Sequence, residues 1–246
     1  MSICSPADLE GMTAVGWIVA EALRATARHV RPGVTTAELD RIGGDVLRRH
    51  GARSAPRLVY HFPAWICVSV NDEAVHGIPG PRVIAPGDLV KIDVTAELGG
   101  YMADAARTVI ALPAPARAFE LALCARRAFR EAMKVARAGR LIRDIGQVIE
   151  AEVRGQGFFV LKELAGHGIG RSIHEEPAIP NFWTEDTGIL KEGMVITVEP
   201  IISVGNCSSV LDADGWTIRT ADRSRSAHFE ETIVITEGEP ILLTAA

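Results

Sequence analysis

The sequence predicts a mixed α/β (α+β) fold in one domain, and three observations carry that prediction. Long helical patterns alternate with short apolar strands along the chain. No low-complexity tract or long linker divides the 246 residues, a length that can bury one large core. A weak internal echo sets PGDLVKIDV (86–94) against EGMVITVEP (192–200), with Gly87 opposite Gly193 and Asp93 opposite Glu199. Two β-rich segments can look this similar by chance, so the echo leaves duplication open. If real, it implies two related halves, each delivering a carboxylate to a shared centre.

The elements follow in order. SPADLEGMTAVGWIVAEALRATARHV reads as a helix, with Ser5 able to cap it, Pro6 suited to its first turn and Asp8 near its positive end. RPG at 31–33 ends it. A second helix starts near Thr36, with Gly51 as its terminator, although Gly43–Gly44 weakens its middle. The pattern changes at Arg57. ICVSV (66–70) reads as a strand, followed by the loop NDEAVHGIPGPRVIAPGD. Residues 88–111 read as a hairpin turning near Leu98–Gly99–Gly100. Helices are expected over 115–138 and 143–155. Short strands between glycine-rich loops then lead to FEETIVIT (229–236).

Several classes of function are disfavoured. A net charge of −5 gives no drive toward nucleic acid or an anionic membrane. The stretch Met194 to Val204 contains Glu199 and Pro200 and is too short to span a bilayer. Residues 1–16 lack the basic start and apolar core of a secretory signal. Cys4, Cys67, Cys124 and Cys207 form no C-x-x-C pair, which points to reduced thiols in the cytoplasm and away from a structural zinc site.

The chemistry-bearing residues are mostly acids in apolar surroundings. A two-residue turn at Leu98–Gly99 pairs Asp93 with Asp104 and places both on one face of the hairpin. Like charges there repel unless a cation or proton lies between them. The alternatives are that one or both face water, or that the register slips by one residue. GHGIGRSIHEEP (166–177) offers His167 and His174 among glycines that permit close approach to a ligand. Glu199 in MVITVEPII and Glu230 in SAHFEETIVIT each need a partner if buried. Glu231 should point to the opposite face, as a solvated acid. Four carboxylates and an imidazole suit a pair of hard or borderline divalent cations better than one tetrahedral zinc.

NDEAVHGIPG, VKIDV, GHGIGRSIHEEP, ITVEP and SAHFEET occur in an order and spacing that resemble the type I methionine aminopeptidases, in their short form. The resemblance covers essentially the whole chain. It implies a "pita-bread" fold, with two pseudo-symmetric halves around a central antiparallel sheet and helices outside. It implies two divalent ions (Co, Mn, Fe or Zn) held by Asp93, Asp104, His167, Glu199 and Glu230, with Asp104 and Glu230 bridging. His76 and His174 match the family's non-ligand catalytic histidines. The implied reaction removes the initiator methionine from nascent polypeptides whose second residue is small. A water activated by both ions attacks the Met carbonyl, with Glu199 as proton shuttle. Phe62, Cys67, His76 and Trp216 match residues lining the methionine pocket. Asn71 and Ser226 match positions near a monovalent cation in relatives. A monomer is expected, and a transient ribosome contact would need only a small surface patch.

The sequence departs from the family pattern at Ile173 before the second histidine, at Ala105 after Asp104, and at Glu231 after Glu230. None removes a ligand. These departures bear on pocket shape and metal affinity rather than on the reaction. An Xaa-Pro aminopeptidase or prolidase shares the fold and ligand set, but usually adds an N-terminal domain. With the first ligand at Asp93, no room is expected for a full one.

Overall fold

Ser5 opens the first helix as its chemistry requires. Its hydroxyl accepts from the Asp8 amide at 3.2 Å, with proline at the start of the first turn. The structure, a computed structural model, describes residues 1–185 and 188–245. Its first part runs α1 (Pro6–Ala27), α2 (Thr36–Arg49), β1 (Arg53–Ser54), α3 (Ala55–Tyr60), β2 (Cys67–Val70), β3 (Glu73–Val75), β4 (Leu89–Leu98) and β5 (Tyr101–Ile110). The second runs α4 (Ala116–Met133), α5 (Ile142–Gly155), β6 (Phe159–Val160), β7 (Ala165–Gly168), β8 (Glu175–Pro180) and β9 (Val195–Val198). It continues through β10 (Ile201–Ser203), β11 (Ser209–Leu211), β12 (Ile218–Thr220), β13 (Ser226–Val234) and β14 (Ile241–Leu242). The short helix α3 falls where the sequence showed only a change of pattern, and α4 stops before the expected residue 138.

Among the described residues, the main sheet follows the order β1-β4-β5-β13-β9-β7-β8, with antiparallel pairing between each of these neighbours. At its centre β5 lies against β13, with Glu230 opposite Ala106. Outside that pair stand β4 on one side and β9 on the other. These outer strands are the two segments of the internal echo. Each begins two residues after a glycine of positive φ, Gly87 at 85° and Gly193 at 80°. The helices repeat the arrangement, because α1 packs with α2 and α4 with α5. The first pair shares a core with Val90, Ile92, Val94 and Ala96 of β4. The second shares one with Ile196 and Val198 of β9 and with Ile233 of β13.

Strand alternation then decides what the opposite face carries. If Val90, Ile92 and Val94 face the helices, Asp93 faces away. If Ala103 and Ala105 of β5 face the helices, Asp104 faces away. The same parity sends His228 and Glu230 of β13 to the site face, opposite in direction to Ile233.

The hairpin register corrects the expectation. The turn is Gly99–Gly100, with φ of 59° and 83°, so Leu98 pairs with Tyr101. A tight turn needing positive φ at both central positions selects two glycines over Leu-Gly. Asp93 therefore lies opposite Ala106, and Asp104 opposite Thr95. The shift is two residues, an even number, so both acids keep one face and become diagonal neighbours.

Glu231 also differs from expectation. It does point to the face opposite Glu230, but it is only 3% exposed. The Arg107 guanidinium ion-pairs with it and donates to the Glu230 carbonyl at 2.6 Å, while the Thr244 hydroxyl donates to its carboxylate at 2.5 Å. Helix α4 packs over β13, so this face is covered and the charge is met by a partner rather than by water.

Candidate metal centre

Four strands bring the acids together. Asp93 comes from β4, Asp104 from β5, Glu230 from β13, and Glu199 from the residue just after β9. His167 arrives on β7, which pairs with β8 and touches β9 through Gly168 opposite Ile196. The glycines on either side of His167 also serve the packing of the strands. A Cβ at Gly166 would lie 2.5 Å from the Thr197 carbonyl oxygen, and one at Gly168 would lie 2.3 Å from that of Glu176. These glycines let strand backbones close on each other and so bring His167 inward.

All five predicted ligands line one cavity of about 180 Å³, together with His76 and His174. Thr197 ties two of them: its hydroxyl donates to Glu199 Oε1 at 2.8 Å and accepts from the His167 amide at 3.0 Å. The His167 Nδ1 lies 2.9 Å from the Gly168 carbonyl oxygen, a contact that requires a proton on Nδ1 and leaves Nε2 as the lone-pair nitrogen. That Nε2 is 3.6 Å from Glu199 Oε1. Thr232 holds the Asp104 backbone at both ends, its hydroxyl accepting from the amide at 2.9 Å and donating to the carbonyl at 2.8 Å.

The electrostatics of the cluster call for cations. Burial pushes the Asp93, Glu199 and Glu230 carboxyls well above the usual range, and the neighbouring Asp104 pushes each further. Asp104 Oδ1 and Glu230 Oε1 are buried with no hydrogen-bond partner among the described residues. Unpartnered buried oxygens are costly, and divalent cations satisfy both them and the crowded charge. Two trios of donors lie close enough to share an ion: Asp104–His167–Glu230 and Glu199–His228–Glu230. The residues present therefore fit a pair of divalent ions, with Glu230 common to both.

Two histidines border the cluster without belonging to either trio. His76 sits at a φ of 57°, a region disfavoured for a residue with a Cβ, and such strain gathers at functional sites. Burial lowers its pKa, with Asp104 opposing. The His174 ring lies 4.4 Å from that of His167, and burial pushes its pKa down to about 4. The Tyr60 hydroxyl is 2.7 Å from His174 Nδ1.

The expected pocket residues also converge. Phe62 and Trp216 meet edge to face at 5.2 Å, in an apolar cluster with Ala64, Cys67 and Ile78. Cys67 lies directly opposite Asp93, so the apolar cluster adjoins the acids. Ile173 and Ala105 are both buried in the core of the first half.

At Asn71, expected near a monovalent cation, the backbone carbonyl accepts from Lys91 Nζ at 2.7 Å and from the Ser226 hydroxyl at 2.9 Å. Lys91 is 1% exposed.

Sequence reading missed three residues. His228 is buried between Glu199 and Glu230, and its position two before Glu230 on a strand was the signal that could have found it. Lys91, inside a strand rich in apolar residues, carried a similar signal. Tyr60 had none, since its approach to His174 joins segments 114 residues apart.

Fold and site together define a metal-dependent hydrolase. Residues 10–237 match the description "Metallopeptidase family M24". The chain is 44% identical over 247 residues to "Methionine aminopeptidase 2" of Bacillus subtilis (strain 168), covering 99% of both chains. It superposes on a crystal structure of methionine aminopeptidase from Thermotoga maritima with a TM-score of 0.96 and 37% identity, covering both chains fully. A prolidase from Pyrococcus furiosus shares the fold, with a TM-score of 0.79 at 22% identity, and 98% of this chain matches 65% of that one. The chain belongs to metallopeptidase family M24, among the methionine aminopeptidases, and its fold is the pita-bread fold.

Proposed function

We propose that this chain acts as a single catalytic domain over residues 1–246, removing the N-terminal methionine of nascent polypeptides at a two-metal centre. One observation carries the reading: the buried carboxylates of Asp104, Glu199 and Glu230, the half-buried Asp93 and His167 converge in a cavity beside the Phe62–Cys67–Trp216 cluster. Asp93, Asp104, His167, Glu199 and Glu230 would hold two divalent ions, drawn from Co, Mn, Fe and Zn. Such ions would lower the pKa of water at neutral pH and polarise the methionine carbonyl.

The chain's own residues do the rest. Glu199, kept in place by the Thr197 hydroxyl, takes the proton of the attacking water and passes it to the departing amine. With the Tyr60 hydroxyl donating to His174 Nδ1, the ring proton sits on Nε2, available to the developing oxyanion. His76, held by its strained backbone, hydrogen-bonds the peptide near the scissile nitrogen. Phe62, Cys67 and Trp216 exclude water around the methionine side chain. The reading places the enzyme in the cytoplasm as a monomer, meeting nascent chains through a transient ribosome contact. No helix among the described residues is long and apolar enough to cross a membrane.

The test is to strip metal with chelator, restore Mn, Fe, Co or Zn singly, and measure release from three peptides. Met-Ala-Ser should be cleaved, while Met-Lys-Ser and Ala-Pro-Ser should resist. Cleavage of Ala-Pro-Ser alone would replace this reading with an Xaa-Pro peptidase. The same assay probes Asn71. The Lys91 Nζ donates to the Asn71 carbonyl at 2.7 Å, where the family resemblance puts a monovalent cation, although burial lowers the pKa of Lys91 to about 7. Exchanging potassium for tetramethylammonium should therefore leave the rate unchanged at constant ionic strength. A several-fold loss would show that the Lys91 ammonium does not take the cation's place.

A further inference from the structure

We propose that His228 is a second imidazole ligand of the centre, supplying nitrogen to the ion held between Glu199 and Glu230; this rests on the two-metal reading. His228 stands on β13 two residues before Glu230, so both project from the same face of the strand. The ring is 2% exposed, and both of its nitrogens lack a hydrogen-bond partner among the described residues. A buried imidazole with neither nitrogen engaged is unfavourable unless something else binds it.

The surroundings identify that partner as a cation. His228 Nε2 is 3.5 Å from Glu230 Oε2 and 3.7 Å from Glu199 Oε2. These separations are long for hydrogen bonds. They are close to the spacing of donors around one divalent ion, where metal–ligand bonds of about 2.1 Å put neighbouring donors about 3.0–3.4 Å apart. His167 approaches the Oε1 side of Glu199 and His228 the Oε2 side, so the two imidazoles flank one carboxylate. The two donor trios contain one imidazole each and share Glu230. With nitrogen in both, the pair should favour borderline ions such as Zn, Co and Fe over Mg and Ca.

Through-bond coupling tests this without a variant. Full-length protein labelled with ¹⁵N-histidine and loaded with ¹¹³Cd should show one-bond ¹¹³Cd–¹⁵N splitting on ring nitrogens of both His167 and His228. His228→Gln should retain only the His167 splitting. By calorimetry with Cd, one binding step should weaken at least about 10-fold in that variant. Thermal denaturation of its metal-free form checks that the fold survives. Splitting at His167 alone, with an unchanged isotherm in His228→Gln, would overturn the proposal while leaving the two-metal reading standing. No splitting at any histidine would overturn both.

Discussion

Replacing Glu199 by Gln is expected to lower kcat on Met-Ala-Ser by about 10³-fold or more, a loss typical of a removed general base. The amide keeps the volume of the side chain and an oxygen that can still accept from the Thr197 hydroxyl, which now donates to Oε1 at 2.8 Å. What it loses is basicity and charge. A second outcome separates this from simple misfolding. Burial and the neighbouring Asp104 push the Glu199 carboxyl well above its usual range, so ionising it strains the metal-free fold. A neutral amide relieves that strain, and the metal-free variant should melt at or above the temperature of the metal-free parent. A near-normal kcat with full metal content would remove Glu199 from the mechanism. A collapsed melting temperature would assign it a structural role instead.

Removing metal should abolish turnover and lower the melting temperature together. The site crowds three carboxyls of raised pKa around Asp104, and it leaves Asp104 Oδ1 and Glu230 Oε1 without hydrogen-bond partners among the described residues. Cations that bind the folded form stabilise it by mass action, about 2.7 kcal/mol for each site at 100 times its Kd. For a chain of this length that corresponds to a rise of roughly 5–10 °C per site. Calorimetric scans with chelator and with added Mn give the comparison. Equal melting temperatures in the two would mean that these carboxylates gather no cation on folding, and the metal-centre assignment would fall with that result.

Much of this arrangement is legible in the chain itself. Ser5 and Pro6 announce α1, and the glycine-led echo of 86–94 in 192–200 marks the outer strands of the two halves. The acids declare themselves by sitting inside apolar strands. Even the wrong hairpin register preserved the right conclusion. The turn moved to Gly99–Gly100 and displaced the pairing by two residues, which returns every side chain to the same face. An error of one residue would have separated Asp93 from Asp104.

Residue order thus determined which side chains share a face, because strand alternation is a local property with a period of two. It put Asp93 and Asp104 on one face by alternation, and in the same way it put His228 on the face of Glu230. Tertiary structure decided what each face meets. Glu231 alternates away from the site as expected, yet α4, Arg107 and Thr244 bury it instead of water solvating it. Lys91 reaches the Asn71 carbonyl across 20 residues, and Tyr60 reaches His174 across 114. Burial, partnership and the pKa shifts they cause depend on segments brought together only when the two halves close. A one-dimensional pattern gives the direction of a side chain, whereas its environment belongs to the packed chain.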